Sequence, residues 1–497
     1  MTHAIAFPTA PPSSVGVDAA GIHRFVDATE RAGCDLHSLM IAREGKLIAQ
    51  GHWSPYTADR VHLLYSCSKM FTATAVGLLV DAGELDLRDR VLEKLPWWLL
   101  KTDRSRIDPA WFDVTIAHCL SMTVGHDDDA WRRGTEGAFA ADGKPADVDW
   151  IDLILRTRLD HEPGSTFAYN QVATYLLSRV VAHVSGEGLL PYLRPRLLDP
   201  LGIGRVITQT DAAGNALGFT GIHAATDALL KLAQLYLDEG VWRGDRILSA
   251  DWVRRARVPF GPSNRDPQAD PDWDQGYGFG LWCARHGYRG DGAFGQFAIV
   301  LPQQRTVVAM TAETVDMQRI LDLLWEHVLP AIDRPGDPEA DATLADRLST
   351  LTLDIDEVGP FDAPAGEHRW VRAELIGAQV DPYSGAGRFP EHWSDATVSV
   401  ADGRTTVALE ARVGAFELTV TAATWTQTTW TFPHGASMPV LARGGWQTPT
   451  RFVADVIAIE SPHRFRFVAD AETGTFDLGW RLPPLTGTEP ALLAPRT

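Results

Sequence analysis

Near residue 333 the hydrophobic pattern of the chain changes period. Upstream, some segments repeat apolar residues every three or four positions and others every two, so helices and strands are mixed. Downstream, only the two-residue alternation of half-buried strands persists. The run between them, Asp333–Ala342 (DRPGDPEADA), is rich in Pro, Asp and Gly and reads as a linker, with a short helical stretch, Thr343–Leu351, expected to follow it. A chain of 497 residues also exceeds one ordinary core. We therefore expect a first domain over 1–335, a linker over 336–355 and a second domain over 356–497.

In the first part, Val17–Ala32 reads as an amphipathic helix and Ser38–His52 as a hairpin turning at Glu44-Gly45. Ser66–Ala82 is a strong helix, with Phe71, Ala75, Leu78 and Leu79 on its apolar face and Gly83 as its stop. Gln171–Val184 and Ala225–Glu239 are further helices. Tyr277–Arg285, Gln296–Leu301 and Arg305–Ala312 read as strands of one sheet, and Met317–Ile332 as a closing helix. In the second part, Asp402-Gly403 joins Ala396–Ala401 to Arg404–Val413 as a hairpin. Phe416–Ala423, Arg451–Glu460, Arg464–Ala469 and Gly474–Trp480 continue the series, which fits an all-β barrel or sandwich.

Composition excludes several classes. With 45% hydrophobic and 22% charged residues the chain is globular rather than disordered. A formal net charge of −19 disfavours nucleic acid and anionic membrane surfaces as partners. No apolar stretch approaches the length of a bilayer span. The start, MTHAIAFPTAPPSSV, lacks the basic and apolar regions of a secretory signal. Cys34, Cys67, Cys119 and Cys283 are scattered without a CxxC pair, so we expect reduced thiols in a cytoplasmic protein. No HExxH occurs, and His126-Asp127-Asp128-Asp129 reads as a solvated acidic loop, so no metal and no cofactor are expected.

Three segments carry candidate chemistry. In Tyr65-Ser66-Cys67-Ser68-Lys69, Ser66 opens the strong helix and Lys69 follows on the same face. A serine hydroxyl becomes a nucleophile when a base takes its proton, and a partly desolvated lysine can serve as that base. The helix N-terminus adds partial positive charge where an oxyanion forms. The same spacing also fits a plain helix cap beside a solvated lysine. This is the only SxxK in a chain with six lysines. The second segment, Glu162-Pro163-Gly164-Ser165-Thr166-Phe167-Ala168-Tyr169-Asn170-Gln171, brings Tyr169 to the start of a helix, either to relay protons or to staple the turn. The third, His286 to Gln296 (HGYRGDGAFGQ), is a glycine-rich strand connection where backbone can approach a ligand. No GxSxG elbow is present.

Taken in order, these segments resemble the serine β-lactamase and penicillin-binding-protein superfamily, in the branch of class C β-lactamases, family VIII esterases and D-aminopeptidases. The resemblance spans roughly residues 15–332 and includes LLVDAGELDLRDRV, VTIAHCLSMTVGH, PGSTFAYNQVATYLLSRVVAHVSG and YLDEGVWRGDRILSADWV. It implies an α+β fold, an antiparallel sheet flanked by helices with a helical subdomain. By analogy with related two-domain hydrolases, the all-β barrel that follows is expected to be lipocalin-like. It implies Ser66 as the acylated nucleophile, Lys69 as its partner and Tyr169 as the tyrosine of a Tyr-x-Asn motif. It also implies oxyanion-binding N–H groups from Ser66 and from near Ala293.

Two departures stand out. The motif reads Tyr169-Asn170-Gln171, so Gln171 takes the amide role, or Asn170 does by a local shift. The third motif reads Gly290-Asp291-Gly292 instead of Lys-Thr-Gly or His-x-Gly, so the usual cation is missing unless Arg289 reaches in. Gly292 and Ala293 are expected to line the substrate. Trp97-Trp98, Trp131 and Trp150 are candidates for a pocket rim. The expected function is hydrolysis of an ester or amide in a small molecule or short peptide. An acyltransferase or peptide-cyclising thioesterase, or a binding protein without turnover, remains the alternative, and the oligomeric state stays open.

Overall fold

The computed structural model describes residues 6–95, 105, 107–127, 150–260, 268, 270–353, 366–372, 387–389, 393–401, 404–411, 414–432, 435–485 and 487–494. Its contacts divide into two units. The first comprises Met1–Trp53, Thr57–Ala312 and Asp316–Leu351, and the second Ser54–Tyr56, Glu313–Val315 and Thr352–Thr497.

The first unit is built on a six-stranded antiparallel sheet. Its strands are β1 (Leu36–Arg43), β2 (Lys46–His52), β3 (Trp282–Ala284), β4 (Gly287–Gly292), β5 (Gln296–Leu301) and β6 (Thr306–Ala312), in the order β2-β1-β6-β5-β4-β3. Every residue of β1, β5 and β6 is buried, so these strands are covered on both faces and read as near-continuous apolar runs. The longest described helices are α1 (Ala19–Arg31), α2 (Ser68–Asp81), α3 (Gln171–Ser185), α4 (Thr226–Leu237) and α5 (Pro338–Ser349). Helix α4 lies against β6, β5 and β1, and α2 packs on α3. Eleven of the fourteen residues of α2 are buried. Gly77 is required there, because the Trp252 ring stands 2.5 Å from where a Cβ would be.

Three expectations are corrected. The segment starting at Ser66 does not enter the α-helix directly. Tyr65–Cys67 forms a tight 3₁₀ turn, with Cys67 N–H donating to Leu64 O at 3.1 Å, and α2 begins at Ser68. The strand expected over Tyr277–Arg285 shortens to β3, and the glycine-rich segment after it is itself a strand, β4. Most of the expected linker is α5. Asp337 caps it, accepting from the N–H groups of Glu339 and Ala340, and Pro338 occupies the first position, where no donor is needed. Arg347 on α5 reaches Asp27 at 3.2 Å and also pairs with Glu30, both on α1, so the first unit runs to Leu351.

Among the described residues the second unit holds a ten-stranded sheet: a short strand at Gly387–Arg388 pairs with Trp480 and Gly479 off the main path, and the other nine form a meander. These are β7 (Gly366–Arg372), β8 (Trp393–Ala401), β9 (Arg404–Ala411), β10 (Gly414–Val420), β11 (Thr426–Thr431), β12 (Ser437–Trp446), β13 (Arg451–Ala458), β14 (Arg464–Asp470) and β15 (Thr475–Trp480). Neighbours in sequence are neighbours in the sheet, except that β10 and β11 do not share a ladder and β15 returns to pair with β7. An odd number of alternating strands makes the first and last parallel, as β7 and β15 are. The indole of Trp430 on β11 donates to Glu417 O on β10 at 3.1 Å and helps draw the open seam together. The result is a nearly closed barrel, as the all-β expectation required. Residues 402 and 403 lie outside the described ones, but Ala401 pairs with Arg404 as a two-residue hairpin requires. The interior is aromatic: Trp393, Phe416, Trp430, Phe465 and Trp480 pack on one another at 4.9–5.8 Å.

His463 sits in this barrel unit without solvent exposure, its Nδ1 2.8 Å from Leu482 O. Burial holds its imidazole down at about 3, against an ordinary 6.5. Between these values the unfolded chain binds more protons than the folded one, so stability falls as pH drops. We expect this histidine to cost about 2 kcal/mol of stability between pH 7 and pH 5. Chemical denaturation of wild type and His463→Gln at both pH values measures it, and equal pH slopes would refute it.

Candidate active site

Ser66 is the one residue between Val61 and Gly77 that is not buried. The tight turn of Tyr65–Cys67 places it there, and α2 carries Lys69 beneath it, only 1% exposed. Lys69 Nζ lies 3.1 Å from Ser66 Oγ, 2.6 Å from Gln171 Oε1 and 3.0 Å from Phe219 O. Gln171 and Phe219 O are neutral acceptors. The three contacts can be met by the three N–H donors of a lysinium, or by a neutral amine whose lone pair accepts from the Ser66 hydroxyl.

The amide role in the second motif falls to Gln171. Asn170 is the cap of α3: its side chain accepts from Ala173 N–H at 2.9 Å and donates to Ala168 O at 3.1 Å, fully buried. The Asn170 side chain is therefore engaged in capping α3. Tyr169 stacks on Trp282 of β3, with centroids 5.3 Å apart, and meets Tyr277 edge-on at 5.7 Å. Its ring faces Lys69 Nζ at 4.8 Å from the centroid. The loop before it is held by backbone bonds from Gly164 to Thr123 O (2.7 Å) and from Ala168 to Met122 O (2.9 Å).

The third motif is β4. Gly290 faces α2, where its Cβ would stand 3.1 Å from Met70 Sδ, and Gly292 faces the nucleophile turn, where its Cβ would stand 3.1 Å from Ser66 N. Alternation along a strand sends Arg289 and Asp291 to the opposite face. There Arg289 is fully buried, 3.2 Å from Asp291, donating to the carbonyls of Asp272 (3.0 Å) and Cys283 (3.3 Å), with its guanidinium over Trp273. The expectation that Arg289 replaces the missing cation is thus corrected. Ala293 follows β4 and is half-buried.

Sequence reading missed the Gly218–Gly221 loop. Phe219 reaches Lys69 Nζ through its carbonyl, with its ring centroid 5.8 Å away, and a backbone acceptor leaves no side-chain signature. The visible signal was the pair of glycines, both at positive φ (73° and 88°), which lets the loop lie against α2, where Thr72 Oγ1 donates to Gly218 O at 2.8 Å. Trp150 is 2% exposed against Tyr175 and belongs to the core; Trp97, Trp98, Trp131, Asp128 and Asp129 lie outside the described residues. His126 is buried edge-on to Trp111 rather than part of a solvated loop.

Cys67 points away from Lys69, with no exposure, and its thiol donates to Gln296 O at 3.2 Å. Burial pushes that thiol well above its ordinary range. We expect Ellman's reagent at pH 8 to leave Cys67 unmodified in the native protein and activity within about twofold of its starting value. Peptide mapping by mass spectrometry checks this, and Cys67 modification that tracks loss of activity would contradict it.

The sheet, the helical cover and a serine–lysine pair at the start of a buried helix define the transpeptidase-like class. The Beta-lactamase family model matches residues 29–329, and the chain belongs to that family. It is 28% identical over 331 residues to penicillin-binding protein 4 of Amycolatopsis lactamdurans, covering 59% of this chain and 80% of that one. It is 24% identical over 299 residues to the 6-aminohexanoate-dimer hydrolase of Paenarthrobacter ureafaciens, covering 56% and 73%. In fold it is similar to the octameric penicillin-binding protein homologue from Pyrococcus abyssi, with a TM-score of 0.50 at 15% identity over 93% of this chain and 99% of that one. No described helix is long and apolar enough to cross a membrane.

Proposed function

We propose that the chain is a serine hydrolase that cleaves an ester or amide through an acyl-enzyme on Ser66. The observation that carries this reading is the 3.1 Å approach of buried Lys69 Nζ to the half-buried Ser66 Oγ. With Lys69 neutral, its N–H groups donate to Gln171 and Phe219 O, and its lone pair takes the Ser66 proton as Oγ bonds to the substrate carbonyl carbon. The oxyanion then meets the N–H groups of Ser66 and Ala293. As the intermediate collapses, the carbonyl–leaving-group bond breaks and the leaving group takes up the proton, with Tyr169 above Lys69 as relay. Water then cleaves the Ser66 ester and restores the hydroxyl.

The substrate class follows from the third motif. Gly290 stands where relatives of this type carry a cation, and Arg289 is committed to the opposite face. A charge-assisted contact to a substrate carboxylate is worth about 1.5–3 kcal/mol. Esters and neutral amides of small molecules or short peptides are therefore favoured over β-lactams, which present a carboxylate. The test is a fluorophosphonate probe with peptide mapping, followed by p-nitrophenyl esters, D- and L-aminoacyl amides and nitrocefin. Labelling at Ser66 with ester or amide turnover far above nitrocefin supports the reading. Absence of labelling at Ser66, or labelling elsewhere, overturns it.

A further inference from the structure

We propose that the packed rings of Tyr65 and Phe294 are positioning groups that set the spacing of the two backbone N–H donors facing the oxyanion. The inference rests on the acyl-enzyme reading above. Tyr65 immediately precedes Ser66, and Phe294 immediately follows Ala293. Both have left-handed backbones, with φ of 46° and 68°. That region crowds any side chain and is ordinarily given to glycine. Glycine is close at hand in this segment, at Gly290, Gly292 and Gly295, yet the strained position itself carries a bulky ring. Strained backbone of this kind persists where surrounding contacts over-determine it, and it clusters at functional sites.

The contact that does so here is the ring pair. The centroids of Tyr65 and Phe294 are 5.3 Å apart with planes inclined at 59°, and the residues are only 4% and 3% exposed. The pair joins the two chain segments that present the donors. The Tyr65 dihedrals orient the Tyr65–Ser66 peptide and with it the Ser66 N–H. Phe294 anchors the turn one residue beyond Ala293. Between them, Gly292 lies against the nucleophile turn so closely that a Cβ would stand 2.2 Å from Leu64 O. Backbone contact at Gly292 and ring contact at Tyr65–Phe294 thus hold the turn and the strand end at two points, which sets their separation and not only their proximity.

The experiment measures the second-order rate of fluorophosphonate reaction at Ser66 and the affinity for phenylboronic acid, a tetrahedral analogue, alongside thermal melts. Phe294→Leu keeps apolar volume but loses the ring, and Phe294→Gly relieves the positive φ but also loses the ring. Both should react about 100-fold more slowly, the scale of an ångström's misplacement, and bind the boronate correspondingly less tightly. Phe294→Tyr and Tyr65→Phe keep both rings and should stay within about threefold of wild type. If Phe294→Leu or Phe294→Gly lowers the melting temperature but leaves rate and boronate affinity unchanged, the rings serve stability alone and the proposal fails. If one variant does not fold, the other carries the comparison. A wild-type protein whose Ser66 never reacts overturns the acyl-enzyme reading itself, a result distinct from failure of the ring pair.

Discussion

Ser66→Ala will lose turnover to background, and Lys69→Ala will lower kcat/KM by about 10³- to 10⁶-fold, with folding intact. The magnitude follows from the behaviour of nucleophile and base as one unit: removing either costs nearly what removing both costs. The fold should survive because Ser66 is only half-buried, and the three acceptors around Lys69 are an exchangeable hydroxyl, an amide and one carbonyl. Lys69→Arg makes the decisive comparison. It keeps a positive charge but cannot give up its proton near neutral pH. If Lys69 acts as base, arginine should be nearly as inactive as alanine. If it acts only through charge, arginine should retain substantial activity. Steady-state kinetics on one ester, with circular dichroism as a folding control, read all three variants. Near-normal rates in Ser66→Ala would remove the assignment altogether.

Gly292→Ala will slow the same reaction by about 100-fold or more and will lower the melting temperature. The added Cβ would stand 2.2 Å from Leu64 O, 3.1 Å from Ser66 N and 3.2 Å from Cys67 N. All three are backbone atoms, so none can swing aside. Either the end of β4 or the nucleophile turn must retreat, by about 1 Å to reach ordinary contact. Displacements of that size cost about two decades in rate, and loss of one oxyanion donor costs two to three. Gly290→Ala is the internal control. Its Cβ meets Met70 Sδ at 3.1 Å, the far end of a flexible side chain that can yield. It should therefore retain activity within about tenfold. Equal effects at the two glycines would show that β4 does not bear on the nucleophile in the way its geometry implies.

The site was legible where its logic is local. Ser66 and Lys69 are three residues apart on one helical stretch, so their shared face follows from helix geometry, and the first turn being 3₁₀ did not part them. Tyr169 was singled out by the resemblance, since its place before a helix also fits a tyrosine that staples the turn, and its ring lies 4.8 Å from Lys69 Nζ. Choosing between Asn170 and Gln171 required knowing which residue caps α3. Asn is a strong cap former, and capping consumed Asn170, leaving Gln171 to reach Lys69. The helix expected over Thr343–Leu351 begins earlier, at Pro338, for a related reason. Asp-Pro-Glu is loop-like in composition, yet it is also a cap, a first-position proline and an acidic first turn.

By itself the sequence carried the change of periodicity along the chain, the alternation of the later strands and the three-residue spacing of Ser66 and Lys69. Each of these depends on neighbours within a few residues or on a repeat along one element. Only the tertiary structure decided which face of β4 meets the nucleophile turn, and hence that Arg289 turns to the other side while Gly290 faces Met70 on α2 and Gly292 faces the turn at Ser66. A strand's alternation is visible in sequence, but its parity relative to a partner 200 residues away is set by sheet pairing and helix packing. The Phe219 carbonyl on Lys69 and the Tyr65–Phe294 contact were likewise invisible. Backbone acceptors have no residue signature, and two rings far apart in sequence meet only when long-range packing brings their segments together.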